Sequence, residues 1–370
     1  MKTFNKLKCV GIMSGTSMDG ADFVLCEIQK KPLKIKYLDH SHVNFSPKLR
    51  KKLQRCAQNK ALTYELAETN YELGLFYANS LKKIKNRKKW KFNLVGLHGQ
   101  TVFHKGGKST LQIGESSFLS EVMTVPVVSD FRAADIALGG QGAPLATFFH
   151  QVAFSHLGYP FAVHNLGGIS NMSFFDRKKS FSFDTGPANM PMDLRLQEIT
   201  RKKLSFDKDG AIAAQGIIHM DLVEKWLKHP YFRQKPPKSC GREEFGEVFL
   251  DKVRSSLTKL NKKDQMATLT EFVAQSITKS YKSLLPKLPK TIVLCGGGAK
   301  NNELVFRLRY HLPNIQVLKC MDLGWPAESI EGAAFALMAA CRLWKIPAHL
   351  PKTTGANKPA LLGKLSQVQI

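Results

Sequence analysis

The chain has 370 residues, long for one hydrophobic core and ordinary for two, and 43% hydrophobic with 23% charged residues suits a globular protein. Each domain can bury a core without disulfides or structural metals. The 55 Lys and Arg against 29 Asp and Glu give a net charge of +26. Such an excess admits nucleic-acid binding, but much of it lies in Lys30–Lys36, Lys48–Lys52 and Lys82–Lys91, which read as solvated faces. A basic field also draws in anionic substrates, and no nucleic-acid partner is expected.

The first elements read strand, polar turn, strand. Lys2, Lys6 and Lys8 precede the short apolar run Cys9–Met13, too short for a signal-peptide core. No run approaches the ~18 apolar residues of a membrane span, so a cytoplasmic protein is expected. Cys9–Met13 is the first strand and Phe23–Ile28 the second, with a further strand near Val43–Phe45. Apolar spacing predicts one long helix over Ala61–Ile84. Phe92–Leu97 and Thr124–Val128 are strands ending at His98-Gly99-Gln100-Thr101 and Ser129-Asp130-Phe131-Arg132.

The stretch Gly139-Gly140-Gln141-Gly142-Ala143-Pro144 marks the domain junction. Domains are therefore expected over 1–135 and 136–370, with the C-terminal tail able to pack back on the first. A second strand–turn–strand follows: Phe161–Asn165, the turn Leu166-Gly167-Gly168-Ile169-Ser170-Asn171, and Met172–Phe175. Ser180–Asp184 then runs into Thr185-Gly186-Pro187. Thr291–Cys295 is a buried strand entering Gly296-Gly297-Gly298, with a helix from about Asn301. Glu328–Leu343 is an Ala-rich helix, and Leu350–Gln369 an extended tail.

The seven cysteines have neither metal-ligand nor CxxC spacing and read as reduced thiols. Ser14, Gly15, Thr16, Ser17, Met18, Asp19, Gly20 and Asp22 crowd glycine, hydroxyl and carboxylate groups into one turn. Glycine lets backbone N–H groups approach a phosphate closely. Asp19 or Asp22 is suited either to position Mg²⁺ through water, an ion that sheds its waters reluctantly, or to pin the turn. The turn at Gly167–Gly168, about 150 residues later, repeats the pattern once per domain. Asn301 suits a helix N-cap, whose N-terminus accepts an anion or a nucleotide edge. There is no Walker P-loop, no protein-kinase motif set and no dinucleotide turn.

Asp184 ends an apolar strand before a sharp turn, where an α/β sheet presents catalytic groups. Transfer of a group to a hydroxyl or to water needs a carboxylate there to take a proton from the attacking group; a turn cap is the plainer reading. Asp193, Asp207 and Asp209 are lesser candidates. His98 and His104 lack a third metal ligand, so His98 suits polar sugar recognition or a satisfied core position. Arg132 is a fork for a carboxylate and Asp135 an acceptor for sugar hydroxyls; a structural Arg–Asp pair is the alternative. Pro236-Pro237-Lys238-Ser239-Cys240-Gly241-Arg242-Glu243 is either a lid hinge or a helix cap.

Ser14–Asp22, His98–Thr101, Leu111–Gly114, Asp130–Arg132, Gly139–Pro144, Asn165–Asn171, Phe183–Pro187, Pro237–Ser239 with Gly241–Glu243, Cys295–Gly298 and Thr354–Ala356 run in order across nearly the whole chain. Together they resemble the anhydro-N-acetylmuramic acid kinase family. The resemblance implies an α/β fold of two ribonuclease-H-like, actin-like ATPase domains flanking a nucleotide and substrate cleft, and a homodimer. It implies that the enzyme uses ATP, Mg²⁺ and water to open 1,6-anhydro-N-acetylmuramic acid and phosphorylate O6 in cell-wall recycling. It implies Asp184 as the base for the water. His98, Arg132, Asp135, Gln141, Gly142 and Glu331 would line the sugar site. Gly15–Asp22, Gly167, Gly168, Gly297 and Gly298 would surround MgATP. Ala188 stands where the family has Gly, and costs about 1 kcal/mol if φ there is positive. Ser116 and Cys240 also depart from their motifs.

Overall fold

The computed structural model describes residues 5–15 and 17–367. Thr16, counted above in the phosphate turn, lies outside the described residues. The chain divides into two compact units, Met1–Phe154 with Glu328–Ile370, and Ser155–Ala327. The division thus falls later than the break expected after residue 135, and the C-terminal segment joins the first unit from Glu328 onward.

Packing explains the difference. The helix Ala146–Phe154 lies against the first sheet's third strand and the helix Ile330–Trp344. That last helix presses onto the same sheet: a Cβ at Gly11 would sit 1.8 Å from the Gly332 carbonyl, and one at Gly96 would sit 2.3 Å from that of Phe335. Both strand glycines are required for this approach. The glycine-rich 139–142 stretch is a turn inside the unit.

The strands in chain order are β1 (Lys6–Ser14), β2 (Gly20–Gln29), β3 (Lys34–Asn44), β4 (Leu94–Lys105), β5 (Ser109–Ile113) and β6 (Val127–Ser129). The second unit holds β7 (Phe161–Leu166), β8 (Ile169–Phe175), β9 (Ser180–Pro187), β10 (Thr291–Cys295) and β11 (Gln316–Lys319), and β12 (Lys364–Ser366) returns to the first. The first sheet runs β12-β6-β4-β1-β2-β3, with β5 on β4. β1, β2 and β3 form an antiparallel meander, and β4 runs parallel to β1. The second sheet runs β11-β10-β7-β8-β9, again a meander with β10 parallel to its first strand. Each unit therefore has the ribonuclease-H-like order, and the faint internal repeat is a repeat of topology.

Periodicity explains the helices that cover the sheets. Helix Thr63–Lys88 buries Leu73, Tyr77, Leu81 and Ile84, one face at helical spacing. It starts where the Glu65 carboxylate accepts the Leu62 N–H at 2.8 Å, and ends at Lys89 in the left-handed region (φ 55°). In the second unit Lys262–Leu284 begins at Asn261, whose side chain accepts from Lys263 and Asp264 N–H. Phe249 stacks on Phe272 at 5.2 Å in that unit's core.

Several expected elements are longer or differently bounded. β4 continues past His98 to Lys105 and folds back through β5. The strand expected from Thr124 begins at Val127, because Thr124 is a left-handed helix cap (φ 54°). The tail carries a short helix, Pro351–Thr354, and β12. All seven cysteines are free. No helix of the described residues is long and apolar enough to cross a membrane.

Candidate active site

In the first unit, β4 delivers His98 into a buried position under Phe335, with ring centroids 4.4 Å apart. His98 Nδ1 is 2.9 Å from the Gly99 carbonyl, and Arg132 donates Nε–H to His98 Nε2 at 3.1 Å. The proton is thereby fixed on Nδ1. Burial first, then the Arg132 charge, pushes the imidazole down to about 3, so it is neutral. Arg132 also donates Nη1–H to the Gly142 carbonyl at 2.7 Å. His104, on the hairpin, pairs with Thr110 at 3.0 Å and borders the same turn: a Cβ on Gly142 would sit 3.2 Å from its Cε1.

Asp135 presents no oxygen to solvent. It is fully buried, with Oδ2 accepting the Gly142 N–H at 2.7 Å and Oδ1 accepting the Thr354 hydroxyl at 2.6 Å. His349 Nε2 lies 3.2 Å from Oδ1, off hydrogen-bond alignment and therefore an electrostatic neighbour only. Burial raises the Asp135 carboxyl, but His349, Thr354 and Gly142 outweigh it and hold it low. A Cβ on Gly140 would sit 2.2 Å from Asp135 Oδ2, so that position admits only glycine. Asp135 thus organises the 139–142 turn. Gln141 is exposed on that turn, its N–H donated to the Thr354 carbonyl at 2.7 Å. Glu331 is exposed at the start of the helix Ile330–Trp344. Surrounding protein and Asp22 push its carboxyl up and Arg132 opposes them; exposure to water moderates that shift.

The first Gly-rich turn separates its residues. Ser14 is buried, its hydroxyl 2.8 Å from that of Tyr77 and donated to the Gly99 carbonyl at 3.1 Å, so it faces the core. A Cβ on Gly15 would meet nothing closer than 4.0 Å, and Met18 takes φ 50° with its N–H on the Gly15 carbonyl. Gly20 packs tightly on β3: a Cβ there would sit 2.4 Å from the Val43 carbonyl. Asp19 is exposed and held low chiefly by the Ser17 hydroxyl at 2.6 Å. Asp22 Oδ1 meets His40 Nε2 at 2.8 Å and His42 Nδ1 at 2.9 Å. These two histidines carry no motif and escaped sequence reading; their alternation on β3 opposite Asp22 is the available signal. No cluster of three metal-ligating side chains occurs among the described residues.

In the second unit the two glycine turns pack on each other. A Cβ on Gly298 would sit 2.7 Å from Leu166 Cβ and 2.8 Å from Asn189 Oδ1. Gly296 takes φ 78°, and a Cβ there would sit 2.5 Å from Asn165 Oδ1. Gly297 is exposed, with only Asn189 Nδ2 near, at 3.8 Å. The Gly167 and Gly168 carbonyls accept N–H groups of Ala188, Asn189 and Met190, closing the start of the helix Asn189–Ile199. Asn301 caps the helix Asn302–His311, accepting the Leu304 N–H at 3.0 Å.

Beside these turns is a cavity of roughly 430 Å³ lined by Gly297, Gly298, Asn189, Asp193, Phe206 and Lys300, among others. Asp193 is pushed up to about 7 by burial and the neighbouring Asp207. Asp207 itself accepts the Ile212 and Ala213 N–H groups at 3.0 and 2.9 Å and is structural.

Asp184 sits near the end of β9, partly exposed. Its Oδ2 accepts the Cys240 N–H at 3.1 Å, and Oδ1 makes no hydrogen bond among the described residues. Burial raises the carboxyl above its usual range, while the Cys240 N–H and the Lys238 charge pull it back. Ala188 has φ −125°, so the alanine carries no left-handed strain. Ser116 is a buried hydroxyl bonded to Ser366 at 2.9 Å, joining β12 to the start of the helix Ser117–Met123.

A family model described as anhydro-N-acetylmuramic acid kinase matches residues 7–367. A protein of that name from Picosynechococcus sp. is 38% identical over 97% of this chain and 99% of its own length. One from Crocosphaera subtropica is 39% identical over 96% and 98%. Among solved structures, component A of the Acidaminococcus fermentans (R)-2-hydroxyglutaryl-CoA dehydratase aligns over 90% of this chain and 97% of its own at 14% identity, with a TM-score of 0.46. Coverage of both chains from end to end at this identity settles the family: the chain belongs to the anhydro-N-acetylmuramic acid kinases, which are phosphotransferases.

Proposed function

We propose that the protein hydrolytically opens 1,6-anhydro-N-acetylmuramic acid and phosphorylates O6 with ATP, giving N-acetylmuramic acid 6-phosphate and ADP in cell-wall recycling. It would do so as a cytoplasmic homodimer. The observation that carries this reading is Asp184: one carboxylate oxygen is anchored by the Cys240 N–H, the other makes no hydrogen bond among the described residues, and burial raises its proton affinity. A base so disposed suits removal of a proton from water attacking C1. The C1–O6 bond breaks as the new C1–O bond forms, and O6 takes the transferred phosphoryl group. Transfer relieves the charge developing on O6, so coupling the two events lowers the barrier to both.

ATP supplies the phosphoryl group. Its fit rests on the exposed Gly297 face, which leaves room for a phosphate, and on the adjoining cavity, where Lys300 offers charge and Phe206 a ring. Gly298 supports that face by close packing, Gly167 and Gly168 through the carbonyls that close the start of the helix Asn189–Ile199, and Asn301 by capping the helix that follows. In the first unit Gly15 leaves similar room beside Ser17 and Met18. Mg²⁺ neutralises phosphate charge when bound. Asp19 fits it best, being exposed and ionised, whereas one oxygen of Asp22 is taken by two histidines.

Arg132 is the proposed partner of the sugar's lactyl carboxylate, aimed by neutral His98 and the Gly142 carbonyl. Asp135 acts through the turn it holds, presenting Gln141; Glu331 borders Arg132. The test is ADP release from MgATP with and without 1,6-anhydro-N-acetylmuramic acid. Release that depends on the sugar supports the proposal. Equal release with and without it, in folded protein, removes this sugar as the acceptor.

A further inference from the structure

Asp184 is gripped at three points by one neighbouring region. Its N–H donates to the Lys238 carbonyl at 3.2 Å, its carbonyl accepts the Tyr231 hydroxyl at 2.7 Å, and its Oδ2 accepts the Cys240 N–H at 3.1 Å. The grip closes on itself. Lys238 Nζ donates to the Tyr231 carbonyl at 3.3 Å and lies 4.3 Å from the Tyr231 ring centroid. Tyr231 is buried and packs edge-on to Phe245, 5.4 Å away, itself fully buried. Pro236 and Pro237 stiffen the approach to Lys238. The segment Pro236–Glu243, read from sequence as a lid hinge or a helix cap, is thus tied to Asp184 through Lys238 and Cys240.

We propose that Lys238 is a positioning residue for Asp184: its ammonium braces Tyr231, whose hydroxyl holds the Asp184 carbonyl, while the Lys238 carbonyl and the Cys240 N–H hold the aspartate's own N–H and its Oδ2. This rests on the reading of Asp184 as the base. The Cys240 N–H engages Oδ2, while Oδ1 makes no hydrogen bond among the described residues. Three titratable groups face Asp184, namely Lys238, the Cys240 thiol and the Tyr231 hydroxyl. Burial pushes Cys240 up to about 12 and Tyr231 higher, so both are neutral at working pH. Glu244 faces Cys240 and Tyr231, and Lys279 faces Lys238. Lys238 is therefore the charged group acting directly on the aspartate. Burial lowers its own proton affinity and Cys240 and Asp184 restore part of it, while Lys279 opposes them. The two charges support each other inside a partly desolvated site.

The experiment compares full-length wild type with Lys238→Met and Lys238→Arg. It reads kcat/KM against pH, and the carbonyl-carbon NMR titration of Asp184, assigned by its loss in Asp184→Asn. The expected result is an acidic limb displaced to higher pH in Lys238→Met. The deficit on that limb is roughly tenfold greater than on the plateau, as removal of an adjacent opposite charge predicts. The Asp184 signal moves in parallel, and Lys238→Arg restores both. An unmoved limb and an unmoved Asp184 titration in a folded Lys238→Met overturn the proposal while leaving the base intact. Near-normal turnover in Asp184→Asn instead removes the base reading itself, and the NMR titration still shows whether Lys238 governs that carboxyl.

Discussion

Arg132 donates Nε–H to Nε2 of His98 at 3.1 Å, an interaction possible only while His98 is neutral. A protonated ring would turn a donor toward a donor and place two cations together. The fold enforces neutrality by burying the ring under Phe335. His98 is thus a support for Arg132, and the pH dependence of activity near neutrality is expected from other groups.

Arg132→Ala is expected to raise KM for the sugar at least about tenfold, the scale of a charge-assisted hydrogen bond, with little change in KM for ATP. Arg132→Lys is expected to rescue little, because an ammonium cannot span both His98 Nε2 and the Gly142 carbonyl. Steady-state kinetics with each substrate varied decides this. A larger effect on ATP would move Arg132 to nucleotide binding.

Asp184→Asn keeps the shape and can still accept the Cys240 N–H, but loses the basic oxygen. A fall in kcat of about 10²–10⁴ is expected, the usual worth of a general base, with nucleotide affinity by calorimetry largely retained. Near-normal kcat would exclude Asp184 from proton transfer.

Gly297 and Gly298 are adjacent but should respond differently in stability. Gly298→Ala forces a Cβ to 2.7 Å from Leu166 Cβ and should lower the melting temperature. Gly297→Ala meets nothing closer than 3.8 Å and should fold normally while weakening ATP binding. Equal destabilisation by both would contradict the packing described.

Acid should destabilise the protein: Asp193, pushed up to about 7, takes up one proton in the fold as pH falls, against three buried histidines that take up none. Burial pushes His98 and His164 down to about 3 and His150 to about 4, so all three are neutral in the fold. In the unfolded chain they take up protons near pH 6.5. The unfolded state then binds more protons, and stability falls as pH drops from about 6.5 toward 4. Thermal melts between pH 7 and 5 should show a falling midpoint; a rising one would contradict it.

The sequence made the repeat and the glycine turns legible because both leave local marks: apolar strands, then residues free of Cβ. The domain boundary was not legible. The glycines at 139–142 read as the domain junction, yet their conformation serves Asp135, and only the distant Thr354 completes that site. Asp135 illustrates the same limit in its role. Its residue type suits a sugar hydroxyl, but burial and two internal donors commit it to the turn. Ala188 is the converse case. The sequence leaves a positive φ open there, at a cost to alanine, and the observed −125° carries none. The side chains around Asp184, especially Tyr231 and Lys238, lie far along the chain, and their convergence comes from tertiary packing.

The central claim is that one site couples hydrolysis of the anhydro bridge to phosphorylation. It is tested most directly by turnover of 1,6-anhydro-N-acetylmuramic acid and MgATP in ¹⁸O-labelled water, with mass analysis of the sugar. The account predicts one solvent oxygen at C1 and an unlabelled bridging oxygen at O6 in every phosphorylated product, with one ADP released per sugar. A phosphorylated product without solvent oxygen at C1, or opened sugar accumulating without phosphate, would contradict it.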